Sequence, residues 1–99
     1  MADVVNNENL HRFEIDVEGE PAVLEYRVRD GALWLLHTDV PEKGQGKGIA
    51  AKLAKAAFEH AKATGQLVVP MCSFVISYLE RHSELIDQVS PEHRARITR

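Results

Sequence analysis

The hydrophobic pattern of this chain changes period once, between Val40 and Ile49, and that change dictates the layout. Before it, apolar residues recur at every second position. His11, Phe13, Ile15 and Val17 alternate with Arg12, Glu14 and Asp16, the signature of a half-buried strand. A turn at Glu18-Gly19-Glu20-Pro21 leads to a second strand. There Ala22, Leu24, Tyr26 and Val28 take one face, and Glu25, Arg27 and Arg29 the other. Asp30-Gly31 predicts a tight hairpin, because a type I′ turn needs positive φ and glycine supplies it cheaply. The run Leu33-Trp34-Leu35-Leu36, within a strand from Ala32 to Thr38, predicts a central strand covered on both faces.

After the change, Ile49, Leu53, Ala57 and Ala61 recur at spacings of four, joined by Ala50 and Ala54. That is one apolar stripe on a helix running to about Thr64. Alanine and lysine favour the helix intrinsically, and Gly65 sits where a C′ glycine ends it. Leu67-Val68-Val69 predicts a short buried strand stopped by Pro70. A second helix is expected over Phe74 to Arg81, with Phe74, Val75, Tyr78 and Leu79 inward, and Leu85 to Val89 adds one more turn. The expected architecture is β-β-β-α-β-α. It is an α+β fold with one mixed sheet, in which an antiparallel meander is followed by helix, strand and helix.

A length of 99 residues fits one domain. Residues 1–9 read as a flexible lead-in, 10–89 as the folded body and 90–99 as a polar, mobile tail. An apolar fraction of 44% with 27% charge excludes disorder throughout. A net charge of −3 argues against nucleic acid as a partner. The single cysteine, Cys72, cannot form an internal disulfide. Met1 to Glu8 lacks the basic and apolar regions of a signal peptide. The longest apolar stretch, Leu67 to Ile76, is far below the roughly 18 residues of a membrane span. A cytoplasmic protein with no membrane partner is expected, as a monomer or a dimer. No Cys/His cluster has zinc spacing, so no metal is expected, and scattered residues do not make a Ser-His-Asp triad.

The loop Lys43-Gly44-Gln45-Gly46-Lys47-Gly48 separates the two patterns. Glycines let backbone N–H groups approach an anion without Cβ clashes. The first N–H groups of the helix lack intrahelical partners and carry the positive end of its dipole, a combination that suits phosphate. Lys43, Lys47, Lys52 and Lys55 stand where acids would favour the dipole, and a bound polyanion would reverse that penalty. The loop fails the P-loop pattern, because Gly48 follows Lys47 where Ser or Thr is needed. It also fails the dinucleotide fingerprint, having Gly-x-Gly-x-Gly after an antiparallel meander. On spacing alone, a loop that merely turns the chain explains it as well as a phosphate site does.

With its surroundings, the loop resembles the (Arg/Gln)-x-x-Gly-x-(Gly/Ala) signature of the GNAT acetyltransferase superfamily, and in particular its small single-domain N-acetyltransferase-like members. His37-Thr38-Asp39-Val40-Pro41, Val68-Val69-Pro70-Met71-Cys72-Ser73-Phe74 and Tyr78-Leu79-Glu80-Arg81-His82 carry the rest of the resemblance, which spans about residues 10 to 89. The resemblance implies a minimal GNAT-like fold that binds acetyl-coenzyme A as co-substrate. The pantetheine arm would run along Leu36 to Val40. The pyrophosphate would rest on the amides of Gln45, Gly46, Lys47 and Gly48, after Lys43 and Gly44. Lys43 stands in place of the family's usual Arg, keeping charge but losing bidentate geometry.

Four residues are candidates for the chemistry. Cys72, near where the family places the thioester, is either a thiolate nucleophile or channel lining; its ordinary role would be a small buried apolar residue. Tyr78 sits where many members protonate the leaving thiolate, although a core aromatic is the plainer reading. His37 or Asp39 could take the amine's proton, and a structural histidine beside a turn is the commoner case. Two functional readings follow, with a third as baseline. The first is an N-acetyltransferase acting on a small-molecule or protein amine, sensitive to Cys72→Ala or Tyr78→Phe. The second is a non-catalytic module that binds coenzyme A as a sensor or docking domain. The third is a structural domain with no ligand.

Overall fold

A computed structural model describes residues 3 to 97. One sheet holds five strands in chain order: β1 (Val5–Asn7), β2 (Arg12–Val17), β3 (Glu20–Arg29), β4 (Ala32–Asp39) and β5 (Leu67–Pro70). The first four pair antiparallel as a meander, and β5 pairs with β4 in parallel. A parallel neighbour requires a crossover, which here is α1 (Ile49–Thr64); α2 (Ser73–Arg81) follows β5. Two 3-10 segments, Ser83–Gln88 and Pro91–Arg96, complete the described chain. No described helix is long and apolar enough to cross a membrane.

The turn chemistry agrees with the sequence. Asp30 and Gly31 both have positive φ (53° and 74°), as a type I′ hairpin between β3 and β4 demands. Gly65 ends α1 in the left-handed region (φ 72°, ψ 23°), its N–H donating to the carbonyls of Ala61 and Lys62. The stripe Ile49, Leu53, Ala57 and Ala61, with Ala54 and Phe58, is buried in one core with Phe13, Ile15, Leu24, Tyr26, Leu33 and Leu35 of the sheet. Small alanines leave the larger sheet side chains room beneath the helix. Phe74, expected inward, is only half-buried, whereas Val75, Tyr78 and Leu79 are buried.

Both chain ends are more ordered than their composition suggests. Val5–Asn7 is an edge strand rather than part of a flexible lead-in. Polar side chains hold it: Tyr26 Oη donates to Asn6 Oδ1 at 2.6 Å, and Asn7 Nδ2 donates to Glu14 Oε2 at 3.0 Å. The polar tail is docked. Val89 bridges Val68, the Ser90 N–H donates to the Val68 carbonyl at 2.9 Å, and Ile97 is buried in the core. His93 lies edge-on to Trp34, with ring centroids 5.6 Å apart. Met1, Ala2, Thr98 and Arg99, included in the expectations for the two ends, lie outside the described residues.

The expectation that the third strand is covered on both faces also needs correction. Leu33 and Leu35 are fully buried, but Leu36 is 38% exposed. Val28 shares the face of Tyr26 yet is 53% exposed, close to the hairpin.

Candidate functional site

β4 and β5 stay paired only from Ala32↔Leu67 to Leu35↔Pro70, and then part. Two local features separate them. The pairing of β3 with β4 slips by one residue between Glu25↔His37 and Tyr26↔Leu35, leaving Leu36 as the extra residue of a bulge. After Pro70, the N–H groups of Met71 and Cys72 both donate to the Leu35 carbonyl, at 2.9 and 3.1 Å, which turns the chain into α2. The bulge also resets which way β4 faces. Thr38 lies opposite Leu24 and so shares the inner face with Leu35, while His37 and Asp39, opposite Glu25 and Val23, take the outer face and are exposed. Thr38 Oγ1 and Cys72 Sγ meet at 3.2 Å across the parted strands.

Beyond the fork, the loop climbs to the start of α1 through a short 3-10 turn, Glu42–Gly44. Gly44 is buried and has no room for a side chain. A Cβ there would lie 3.0 Å from Val17 Cγ1, 3.1 Å from Ile49 Cδ1 and 3.2 Å from Val40 Cγ1, so the bare backbone seats the loop on the core. Gly46 and Gly48 hold φ of 79° and 75°, a region that side chains disfavour. No side chain caps α1. Among the described residues, the N–H groups of Gly46, Lys47, Gly48, Ile49, Ala50 and Ala51 have no protein acceptor. The Gln45 N–H differs from the expectation: it donates to the Glu42 carbonyl at 3.2 Å. The row of free donors therefore begins one residue later.

These donors border a cleft of about 320 Å³. Val40, the glycine loop and Ile49 to Ala51 form one wall. Phe74, Tyr78, Arg81 and His82 form the other. The spacing of these four places them on one face of α2 and its end. That periodicity was available in the sequence, but Arg81 and His82 carried no assigned role there.

The lysines of the loop stand apart from the cleft. Lys43 Nζ donates to the Glu18 carbonyl at 3.1 Å and lies 3.7 Å from Glu20 Oε1, tied to the turn between β2 and β3. Competition from that turn explains why Lys43 does not serve the cleft as expected. Lys47 lines a separate depression with Asp16, Val17 and Glu18. Leu36, His37, Asp39 and Cys72 do not line the cleft either; of the expected pantetheine stretch, Val40 does.

Tyr78 is 8% exposed. Its ring stacks on His82 at 4.2 Å and on Phe58 at 6.1 Å, with Phe74 tilted against it at 6.4 Å. Burial raises the phenol above its ordinary pKa, and the charges of Glu84 and Glu59 push the same way. Cys72, also 8% exposed, ends the fork rather than the cleft. Among the described residues no group of three or more His, Cys, Asp or Glu is placed to hold a metal ion.

A mixed sheet whose parallel strands part at a bulge, a glycine loop feeding an uncapped helix, and a tyrosine facing that helix start are thus found together. The family model for the GCN5-related N-acetyl-transferases matches residues 12–89, from the first residue of β2 to just past α2 and its following turn. The chain belongs to the GCN5-related N-acetyltransferase family.

Proposed function

We propose that the protein is an N-acetyltransferase that holds acetyl-coenzyme A in the cleft between the start of α1 and α2 and passes its acetyl group to an amine. The observation that carries this reading is the run of unpaired N–H groups from Gly46 to Ala51, opening onto a cleft whose far wall is Tyr78. Members of the family draw their acetyl group from acetyl-coenzyme A, and the residues present fit that co-substrate. A diphosphate can accept from several convergent amides at the positive end of a helix. The parted ends of β4 and β5 leave carbonyl and N–H groups beyond Leu35 without a neighbouring strand to pair with.

The reaction joins the amine nitrogen to the thioester carbonyl carbon and breaks the C–S bond. The departing sulfur needs a proton, and the amine must lose one. Tyr78 suits the first task, because its raised pKa keeps the phenol protonated at neutral pH. His37 and Asp39, exposed on the outer face where the strands part, suit the second. An amine approaching through the fork from that face would meet the thioester from the side opposite Tyr78. The contact of Cys72 with Thr38 supports a role for Cys72 in lining this passage.

The test is turnover. Purified protein with acetyl-coenzyme A and a panel of polyamines, arylamines and peptides should release free coenzyme A thiol only when a suitable amine is present. The product should carry 42 mass units more, as replacing N–H by N-acetyl requires (about one acetyl group per turnover). Tight binding of coenzyme A with no thiol release for any amine would instead support the non-catalytic, coenzyme A-binding alternative.

A further inference from the structure

The loop and the first turns of α1 carry four lysines, yet none of them borders the cleft. Lys43 is held at the β2–β3 turn, and Lys47 lines a separate depression beside Asp16 and Glu18. A diphosphate seated on the free amides would meet only their partial charges from that side. The cation on the opposite wall is Arg81. Its Nη2 donates to Ser77 Oγ, one turn earlier on α2, at 3.3 Å, and among the described residues no carboxylate lies within 4 Å of it. That bond orients the guanidinium while leaving most of its N–H groups unused. A guanidinium offers a planar fork that matches two phosphate oxygens at once, which an ammonium does not.

We infer that Arg81 is the phosphate clamp of this cleft, closing on the diphosphate of coenzyme A from α2 while the amides of Gly46 to Ala51 hold it from α1. The inference rests on the acetyl-coenzyme A reading above and adds the residue that sets selectivity for a phosphorylated ligand. It also assigns α2 a binding role separate from the proton transfer given to Tyr78.

Calorimetric titration of three probes separates the possibilities. Coenzyme A carries the diphosphate and a ribose phosphate, dephospho-coenzyme A only the diphosphate, and pantetheine neither. Arg81→Gln should weaken coenzyme A and dephospho-coenzyme A alike, by about 10- to 100-fold, as loss of a charge-assisted bidentate contact does. Pantetheine affinity should stay unchanged. Arg81→Lys should recover only part of the loss, because the charge returns without the fork. Lys43→Gln, which removes a cation outside the cleft, should change affinity by less than about threefold. Arg81 is exposed on a helix, and an unchanged far-ultraviolet dichroism spectrum confirms that the variant folds. Wild-type affinity in Arg81→Gln overturns the clamp while leaving the acetyl-coenzyme A reading intact. A loss confined to coenzyme A moves Arg81 to the ribose phosphate and overturns the diphosphate assignment. A wild-type protein that binds none of the probes overturns both.

Discussion

Tyr78→Phe should slow acetyl transfer by about 10²–10⁴-fold, the range that a positioned general acid contributes, while leaving the fold and the affinity for coenzyme A close to wild type. The ring is the structural part of this residue. It is stacked between His82 and Phe58 with Phe74 beside it, and phenylalanine preserves that packing. The hydroxyl has no protein partner among the described residues, so its removal breaks no internal hydrogen bond. The pH profile gives a second readout. Burial, then Glu84 and Glu59, raise the Tyr78 pKa above its ordinary value of 10.0. A general acid works only while protonated, so the wild-type rate should hold through neutral pH and fall only as pH rises past the ordinary phenol range. The variant should lack that alkaline limb. Steady-state kinetics across pH, with free thiol as the readout, check both points. A variant that turns over at the wild-type rate would remove Tyr78 from the chemistry.

Leu53→Ala should cost about 2–5 kcal/mol of folding stability, through lost transfer energy and the cavity left behind. Leu53 is fully buried in the centre of the α1 stripe, and its neighbours in the core include Ala54 and Ala57. Small neighbours cannot swing in to refill the space. For a domain of this size the loss is a large part of a total of roughly 5–15 kcal/mol, and it should lower Tm by on the order of 10–30 °C. Because α1 presents the amide donors, stability and binding are linked. Coenzyme A at about a hundred times its Kd should return roughly 2.7 kcal/mol. Thermal unfolding with and without coenzyme A measures both quantities. A loss below about 1 kcal/mol would mean that the helix is seated on the sheet differently from what is described above.

Much of this architecture was legible in the residues, and the parts that were not have specific causes. Alternation along Phe13, Ile15 and Val17, the Asp30-Gly31 turn, and the four-residue spacing from Ile49 to Ala61 are local signals, and each is found in the expected element. Gly65 ends α1 as its position implied. The bulge at Leu36 was not visible, because a register slip belongs to two strands at once and leaves no mark in either. It reverses the facing of the residues after it, so alternation could not tell that Thr38 would turn inward and His37 outward. The edge strand β1 is held by asparagine side chains rather than by an apolar face, and polar composition concealed it. The docked tail depends on Val89, Ser90 and Ile97 reaching β5 and the core, contacts that no periodicity encodes. At the site, the glycine loop was read from its chemistry, but Lys43 was expected at the ligand and instead bonds the Glu18 carbonyl. Arg81 went without a role because its importance comes from facing the start of α1, a juxtaposition that only the packing of two helices creates.

The account depends most on the backbone donors at the start of α1 being open to an anion. Titrating coenzyme A into isotopically labelled protein while following backbone amide resonances tests this most directly. The predicted result is saturable shifts concentrated at Gly46 to Ala51, with a second group along Leu36 to Asp39 and Val40 where β4 leaves its neighbour. Spectra that stay unchanged up to millimolar coenzyme A, or shifts that avoid the glycine loop, would contradict it.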